Sequence, residues 1–254
     1  MKDLLVIGIG AGDAGDVTLR AVEAMRRVDV FFLLEKPGRG KSALVDLRLE
    51  VLRRACPGGG YRLVYATDPE RPKEVPDYPA AMAAWREERR RLLAELFGRE
   101  LAEGETGGFL VIGDPGLYDG TIEIFHELEA QGAAVSFEVV PGITSLQLLA
   151  ARHRIALNRI GETITIISAR QLAAADAASL DNVLVVLDGR ALFRRFADTD
   201  LDIYWGAYLG MPEEILVSGP LRGKAEEIAR IIGEERARRG WIMDVYLLRR
   251  PSSP

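Results

Sequence analysis

The sequence predicts an α/β protein of two subdomains, each a mainly parallel or mixed sheet flanked by helices, with the active site in the cleft between them. Two observations predict this fold class. Short apolar runs rich in Val and Ile, typical of buried strands, alternate with helical patterns along the chain. The pattern restarts after a glycine turn at Gly113–Tyr118, so we expect one subdomain over residues 1–116 and another over residues 117–254.

The first subdomain is predicted to open with a βαβ unit. Residues 3–10 are a short apolar run that predicts a buried strand. Residues 16–28 place apolar side chains on one helical stripe, with Asp16 as the expected N-cap. A second buried strand is expected over residues 29–35, which completes the unit. Beyond it, the pattern predicts helices over 42–55 and 80–97 and strands over 61–67 and 107–112.

The second half of the chain is predicted to hold more strand and fewer helices. A helix over residues 121–130 leads to a strand over 134–140 and a helix ending near His153. Later strands are expected over 163–168, 182–189, 201–210 and 243–250, with a helix over 224–239. This imbalance between strands and helices favours a mixed sheet, since parallel pairs need helical crossovers.

The bulk composition argues against several kinds of partner. The net charge of -5 lacks the basic excess of nucleic-acid-binding proteins. The chain has one cysteine and two histidines, so we expect neither an internal disulfide nor a metal site. No apolar stretch approaches the ~18 residues of a membrane helix, and no signal peptide is visible. We therefore expect a cytoplasmic protein without nucleic-acid, membrane or metal partners.

A glycine-rich turn follows the first predicted strand. Gly10, Gly12 and Gly15 have the spacing G-x-G-x-x-G, and Glu35 ends the next strand. This is nearly the dinucleotide fingerprint, in which glycines allow a tight turn and a carboxylate binds a ribose hydroxyl. The turn alone leaves two interpretations open: an NAD(P)-dependent Rossmann oxidoreductase, or a tight βα turn that binds no ligand.

Two further turns follow predicted strands. The segment GDPGLYDG (Gly113–Gly120) leaves Asp114 at the carboxyl edge of a sheet, and PGITS (Pro141–Ser145) repeats this arrangement. Ligands of open α/β sheets bind at that edge. The two turns together therefore favour a ligand site, although each one also fits an ordinary tight turn.

In this order, the turns resemble those of the tetrapyrrole methyltransferases, the cobalamin and sirohaem enzymes. That family shows G-x-G-P-G-D, a Gly-Asp-Pro loop, Pro-Gly-Ile-[Ser/Thr]-[Ser/Ala], a strand ending near Tyr-Met, and a late Gly-x-Leu. Here the segments read GIGAGD, IGDPGLY, PGITS, VVLDG and GMPEEILVSGPL, collinear over essentially the whole chain. ARHRIALNRIGE (residues 151–162) and RRGWIMDVYLLRR (238–250) most resemble the branch that methylates precorrin-5 and releases acetate.

The resemblance implies S-adenosylmethionine (SAM) as the methyl donor, S-adenosylhomocysteine (SAH) as its product, and no metal. Ala11 stands where many family members have proline. Asp188 stands where many have methionine, which would put a charge near the cofactor. Carried over by motif, the cofactor contacts fall on Ala11, Ile112, Gly113, Asp114, Leu117, Thr144, Ser145, Leu187, Asp188, Ala207, Tyr208 and Leu209.

The implied reaction has two chemical parts with different needs. Methyl transfer from a sulfonium depends on orientation more than on acid–base help. Loss of acetate consumes water and would benefit from a base. Turn positions make Asp13 and Tyr118 the expected catalytic residues, with His153 as a further candidate. Turn capping, packing and helix-end charge are the structural alternatives for these three side chains.

A tetrapyrrole substrate with many carboxylates requires local cations from this acidic protein. The expected substrate-binding residues are Arg71, Arg86, Arg89 and Arg152, with Arg90 as a further candidate. A solvated charged face is the alternative for each of them. The resemblance also implies a homodimer. Three other functions remain open: another precorrin or uroporphyrinogen methyltransferase, an NAD(P)-dependent oxidoreductase, and a non-catalytic tetrapyrrole carrier.

Overall fold

The chain divides into two compact units in a computed structural model that describes residues 2–35, 42–72 and 75–251. The first unit comprises the residues up to Gly10 and Ala14–Ile143, and the second comprises Ala11–Asp13 and the residues from Thr144 onward. The predicted boundary after residue 116 differs from this division. The reason is that the strand at Val135–Val140 pairs with the first strand of the chain, which keeps it in the first unit.

The first unit is an open sheet of five parallel strands in the order β3-β2-β4-β1-β5. Its elements are β1 (Lys2–Gly8), α1 (Leu19–Met25), β2 (Val30–Glu35), α2 (Ser42–Ala55), β3 (Arg62–Thr67), α3 (Tyr78–Glu100), β4 (Thr106–Val111), α4 (Thr121–Ala130) and β5 (Val135–Val140). The alternation of strands and helices confirms the predicted α/β class for this unit.

Helices cover both faces of this sheet, which explains why its strands are apolar on both sides. In β1, Leu4 and Val6 pack with α3 and α4, whereas Leu5 and Ile7 pack with α1 and α2. The α3 and α4 side contains the aromatic rings of Phe32, Phe97, Phe109 and Phe125, with neighbouring centroids 5.2 to 5.6 Å apart. The sheet is thereby fixed as a rigid base for the turns that follow its strands.

Helix α1 begins at Leu19 with Thr18 as its N-cap, so the expected cap at Asp16 was wrong. The Thr18 hydroxyl accepts a hydrogen bond from the amide of Ala21 at 3.1 Å. Residues Ala14–Asp16 form a short 3-10 turn ahead of the helix. That turn includes Asp16, the residue at which the helical stripe was predicted to start.

The second unit contains a five-stranded mixed sheet in the order β6-β7-β10-β8-β9. Only β6 and β7 are parallel to each other, and the remaining pairs are antiparallel, which confirms the predicted mixed sheet. Its elements are α5 (Ser145–His153), β6 (Thr165–Ser168), α6 (Ala169–Leu172), β7 (Val183–Val186), β8 (Asp202–Ala207), β9 (Ile215–Pro220), α7 (Leu221–Arg239) and β10 (Asp244–Arg249).

The edge strand β9 was not predicted from the sequence. Its residues alternate between half-buried and exposed, and it ends at Pro220, whose missing amide hydrogen suits an edge position. Helix α5 packs against β8 and β10, and α7 packs against β8 and β9.

In the described part of the chain, no helix combines the length and apolar character that a membrane span requires.

Candidate cofactor and substrate site

The carboxyl ends of β4, β1 and β5 lie side by side, and the turns that follow them touch backbone to backbone. A Cβ atom added at Gly8 would lie 2.5 Å from the Gly142 nitrogen. One added at Gly142 would lie 2.2 Å from the carbonyl oxygen of Gly113. Only glycine fits at either position, because real Cβ atoms do not approach backbone this closely. The glycines of all three turns therefore meet at one edge of the sheet.

Asp114 holds two of these turns together. Its Oδ2 accepts a hydrogen bond from the amide of Gly142 at 2.8 Å, and its Oδ1 accepts one from the amide of Gly116 at 2.8 Å. The Leu117 amide donates to the Asp114 carbonyl oxygen at 3.2 Å, which closes the turn. The carboxylate was expected at the cofactor, and here both of its oxygens are engaged by backbone amides.

The β1 and β4 turns stay paired beyond the ends of their strands. The Gly113 amide donates to the Gly10 carbonyl oxygen at 2.7 Å, and the Ile9 amide donates to Val111 at 2.9 Å. Gly113 has φ +79, and nothing lies within 4 Å of a Cβ built on it. The neighbouring Ile112 is half-buried against the α1 and α2 side. Gly113 is buried, but the space beside its Cα is empty, so this rigid turn leaves room for close approach by a ligand.

The backbone of Tyr118 lies in the left-handed region, with φ 54, and Tyr118 is 49% exposed. This conformation is rare for residues other than glycine and is concentrated at functional sites. The next residue, Asp119, accepts a hydrogen bond from the amide of Thr121 at 2.8 Å at the start of α4. Tyr118 is therefore an exposed aromatic residue in a strained turn that is anchored on both sides.

In the second unit, Ala11–Asp13 lies against the turn that follows β8. A Cβ atom added at Gly12 would lie 2.3 Å from the carbonyl oxygen of Leu209. One added at Gly210, which has φ +80, would lie 2.8 Å from the Asp13 nitrogen. Ala11 is buried and Asp13 is exposed. The structure thus brings four predicted residues together in this unit: Ala11, Asp13, Tyr208 and Leu209.

Tyr208 anchors this turn from inside the unit. It has φ 51 and is 1% exposed. Its hydroxyl donates to the Trp241 carbonyl oxygen at 2.7 Å, and its amide donates to Met243 at 2.9 Å. Ala207 and Leu209 are also buried. These side chains build the turn, so any contact that the three residues make with a cofactor would come mainly from their backbone.

Leu187 and Asp188 follow β7 and point to different surroundings. Leu187 has φ 59 and is 60% exposed, an unusual position for a leucine. Asp188 is 2% exposed. Its Oδ2 accepts hydrogen bonds from the Tyr246 hydroxyl at 2.6 Å and the Leu192 amide at 2.7 Å, and its Oδ1 accepts one from the Arg190 amide at 2.9 Å. The charge expected near the cofactor is thus held inside the unit by three donors.

Thr144 and Ser145 form the start of α5. The Thr144 amide donates to the side-chain oxygen of Gln147 at 2.7 Å, and the Gln147 amide donates to the Thr144 hydroxyl at 3.4 Å. This reciprocal pair is a capping box, which fixes the first turn of a helix. Both predicted residues are half-buried at a well-defined helix end.

The predicted substrate-binding arginines all have protein partners. Arg89 pairs with Asp68 at 2.9 Å, with side chains only 11% and 3% exposed. Arg86 lies 3.6 Å from Glu127, and Arg152 lies 2.9 Å from Glu214. Arg71 lies 5.8 Å from the centre of the Trp85 ring. Arg90 pairs with Glu87 and Gln131. Of the ion pairs of Arg86 and Arg89, that of Arg86 is much the more exposed.

His153, the further catalytic candidate, lies on α5 and contacts β8. Its Nε2 is 3.0 Å from the carbonyl oxygen of Trp205, and its ring packs edge-on against Tyr204 with centroids 5.6 Å apart. A carbonyl oxygen only accepts hydrogen bonds, so Nε2 must carry the hydrogen. This contact gives His153 a packing role in the second unit.

Two ionisable groups near the Asp188 turn have shifted pKa values. Burial raises the pKa of Asp244 to about 6, opposed by the hydrogen bond from Trp205 Nε1 at 2.9 Å and reinforced by Asp188. Burial also raises the pKa of Tyr246, and the adjacent Asp188 adds to that shift.

Within residues 2–35, 42–72 and 75–251, no cluster of three or more His, Cys, Asp or Glu could hold a metal ion.

Sequence reasoning missed three polar residues beside the predicted turns. Glu214 accepts a hydrogen bond from the Gly210 amide, Tyr246 donates to Asp188, and Asp244 accepts from Trp205. Tyr246 and Asp244 lie in a strand that pairs with β7 and β8, which no local pattern indicates. A carboxylate four residues after a turn glycine was the one available signal, for Glu214.

Comparison with known proteins agrees with this architecture. Residues 3–225 match the family model described as Tetrapyrrole (Corrin/Porphyrin) Methylases. A curated Sinorhizobium sp. protein named precorrin-6A synthase [deacetylating] is 39% identical over 251 residues, which cover 98% of this chain and 96% of that one. The crystal structure of a cobalamin synthesis related protein (CobF) from Corynebacterium diphtheriae has a TM-score of 0.82 at 31% identity. The match covers 99% of this chain and 100% of that one.

A more distant likeness concerns the fold alone. The Thermus thermophilus uroporphyrin-III C-methyl transferase, solved in complex with S-adenyl homocysteine, has a TM-score of 0.60 at 20% identity, with 97% of each chain covered. A parallel sheet with glycine turns at its carboxyl edge defines an α/β protein of the kind that binds ligands at that edge. Together with the family match and the close relatives, these features show that the chain belongs to the tetrapyrrole methylase family.

Proposed function

We propose that the chain is a SAM-dependent C-methyltransferase of cobalamin biosynthesis. It methylates precorrin-5 at C-1 and releases acetate, giving precorrin-6A and SAH. The observation that carries this proposal is the 39% identity, over 98% of the chain, with a relative named precorrin-6A synthase [deacetylating]. Another precorrin or uroporphyrinogen methyltransferase is the alternative within the family.

The predicted cofactor residues suit SAM in their chemistry. The first unit offers empty space beside the Gly113 backbone, and the second offers the exposed apolar side chain of Leu187. Backbone polar groups and exposed apolar side chains are what an adenosine and an amino-acid moiety require. When bound, SAM supplies an electrophilic methyl group. In this proposal the predicted cofactor residues of the first unit are Ile112, Gly113, Asp114 and Leu117, and those of the second are Ala11, Thr144, Ser145, Leu187, Asp188, Ala207, Tyr208 and Leu209.

The main contribution of the chain to methyl transfer is orientation. Well-oriented reactants can save about 7–11 kcal/mol of a barrier, provided that the groups holding them are rigid. The hydrogen bonds of Asp114 and the buried anchor of Tyr208 provide that rigidity here. Asp114 accordingly acts by shaping the turn at Gly113–Tyr118. Asp188 binds the amides of Arg190 and Leu192 and thereby holds the turn that carries Leu187.

The acetate-releasing step needs a group that moves a proton from water. Asp13 and Tyr118 are the proposed residues, since both are exposed on turns that close backbone contacts hold in place. His153 is less suited, because its Nε2 already donates to a backbone carbonyl. Arg71 and Arg86 are the most accessible of the proposed cations for substrate carboxylates. The buried pairing of Arg89 and the ion pair of Arg152 suit them better to structural support.

The proposed cellular setting follows from the same reaction. We place the protein in the cytoplasm, as a homodimer, acting on a polycarboxylate tetrapyrrole without nucleic-acid, membrane or metal partners. Gel filtration with light scattering tests the dimer: a mass near 56 kDa supports it, since one chain has a mass of 27.9 kDa, and a mass near that of one chain contradicts it.

Calorimetry with three ligands separates the classes of function. SAH should bind, NAD should not, and a precorrin should bind more tightly when SAH is present. Binding of NAD without SAH would favour the oxidoreductase. Binding of a tetrapyrrole with no SAH site would favour the carrier. Within the family, mass spectrometry of the product separates the alternatives, since only the proposed reaction combines a gained methyl group with a lost acetyl group.

A further inference from the structure

Glu214 connects a helix, a turn and an arginine within the second unit. One oxygen, Oε2, accepts hydrogen bonds from the Gly210 amide at 2.8 Å and from Arg152 Nε at 2.9 Å. The Glu214 amide also donates to the Met211 carbonyl oxygen at 3.1 Å, which closes the loop between the two residues. The side chain of Glu214 is 23% exposed and that of Arg152 is 36% exposed, so Glu214 is the more covered partner.

Gly210 lies in the turn against which Gly12 and Asp13 pack. A Cβ atom at Gly210 would stand 2.8 Å from the Asp13 nitrogen, and one at Gly12 would stand 2.3 Å from the Leu209 carbonyl oxygen. Backbones that approach this closely cannot move independently. A shift of the Gly210 amide would therefore displace both the Leu209 carbonyl and the segment Ala11–Asp13.

The turn is held at its two ends by different side chains. At Tyr208, the buried hydroxyl donates to the Trp241 carbonyl oxygen, and the left-handed backbone is fixed by a hydrogen bond from the Tyr208 amide to the Met243 carbonyl oxygen. At Gly210, φ is +80, which glycine adopts readily because it has no side chain. The Gly210 amide donates a hydrogen bond to the Glu214 carboxylate. A hydrogen bond to a charged acceptor is stronger than a neutral one, so Glu214 is well suited to fix this end.

We propose that Glu214 and Arg152 are a positioning pair for the cofactor-binding turns of this unit. Glu214 fixes the Gly210 amide, and Arg152 orients Glu214 by binding the same oxygen. Arg152 thus acts through Glu214 and leaves the binding of substrate carboxylates to other cations. This inference rests on the proposed function, in which Ala11 and residues 207–209 contact SAM.

The test is a double-mutant cycle on SAH affinity, measured by calorimetry on E214A, R152A and the double variant. A hydrogen bond to a charged group contributes about 1.5–3 kcal/mol, so we expect E214A to weaken SAH binding at least about tenfold. The double variant should bind SAH no more weakly than E214A, since both substitutions remove the same function. With saturating SAM, R152A should leave the KM for the tetrapyrrole unchanged.

A conservative variant and a matched control keep the test specific. E214Q retains an oxygen that can accept from both donors, so its SAH affinity should return to within about threefold of the wild type. E226A removes another ion pair of the second unit, between Arg194 and Glu226 at 2.9 Å on the surface, and should leave SAH affinity unchanged. Circular dichroism of each variant establishes that it is folded.

Two results would overturn the pair. The first is wild-type SAH affinity in a folded E214A. The second is an R152A variant with a raised tetrapyrrole KM and unchanged SAH affinity, which would make Arg152 a substrate contact. If E214A fails to fold, R152A decides the question: weaker SAH binding with an unchanged tetrapyrrole KM supports the pair, and wild-type SAH affinity overturns it. A wild-type protein that binds no SAH would instead contradict the proposed function itself.

Discussion

The carboxylate of Asp114 accepts a hydrogen bond from the amide of Gly142, 28 residues along the chain, at 2.8 Å. Its other oxygen accepts from Gly116 at the same distance. One side chain therefore sets the conformation of its own turn and connects it to the turn that follows β5. The resemblance predicted a cofactor residue at this position, and the structure adds a physical reason why an acid is needed there.

Substituting Asp114 should weaken both the fold and SAH binding. Asp114→Ala leaves the Gly116 and Gly142 amides without their acceptor, which should lower the free energy of unfolding by about 1–3 kcal/mol. D114N should also lose SAH affinity, because its amide group would face one of the two N–H donors. Denaturant unfolding and calorimetry measure the two effects. D46A, at an exposed position of α2, is the control; an equal effect in D46A would contradict the assignment.

The glycine contact between the turns makes a steric prediction. Gly142→Ala would put a methyl group 2.2 Å from the Gly113 carbonyl oxygen, so the turns must separate and SAH binding should be lost. Gly98→Ala is the matched control, because nothing lies within 4 Å of its Cβ position in helix α3. G98A should stabilise the protein by about 0.5–1 kcal/mol. SAH affinity in G142A equal to that in G98A would refute the close packing.

Two neighbouring arginines of α3 should respond very differently to truncation. Arg89→Ala leaves the buried Asp68 without its ion-pair partner, which should cost about 3–5 kcal/mol of stability. Arg86→Ala removes a long, exposed pair with Glu127 and should change stability by less than about 1 kcal/mol. R86A should instead raise the KM for the tetrapyrrole. Equal losses of unfolding free energy in the two variants would show that burial does not separate their roles.

Asp244 predicts a dependence of stability on pH. Its pKa is raised from 3.8 to about 6 by burial, with Asp188 adding to the rise and Trp205 and Arg236 opposing it. A carboxyl group whose folded pKa lies above its unfolded value stabilises the fold most at low pH. That contribution is lost as the pH rises through about 6, and two pKa units correspond to about 3 kcal/mol.

The variant Asp244→Asn isolates this effect. It keeps an oxygen that can accept from Trp205 but cannot ionise. Relative to the wild type, D244N should gain about 2–3 kcal/mol between pH 4 and pH 7 and remain level above pH 7. Urea unfolding at several pH values measures the difference. A difference that is flat from pH 4 to pH 8 would contradict the buried charge. D198N, at an exposed position, is the control.

The sequence predicted those features that depend on local patterns. Apolar runs identified the buried strands of the first unit, and glycine spacing located the turns at Gly113 and Gly142. Strand β9 was not predicted because it is short and its residues alternate only between half-buried and exposed. The two compact units differ from the predicted boundary after residue 116, because pairing of β5 with β1 is a long-range contact that no local pattern encodes.

The resemblance named candidate site residues, but it did not indicate what their side chains bind within the protein. The resemblance supplied Asp114 and Asp188, yet what their carboxylates do depends on partners far along the chain. Asp188 receives the hydroxyl of Tyr246 only because β10 pairs with β7 in a particular register. Glu214 and Arg152 meet through a turn and a helix that lie far apart in sequence. Whether the predicted residues contact SAM stays a prediction until a ligand is bound.

One turnover experiment tests the central claim most directly. The purified protein is incubated with precorrin-5 and SAM carrying a 13C-labelled methyl group, and SAH, acetate and the tetrapyrrole are quantified. The account predicts one SAH and one acetate for each tetrapyrrole converted, with the labelled methyl group at C-1. SAH formed without acetate would point to another methylation within the family. No SAH formed from a protein that is folded would contradict the account.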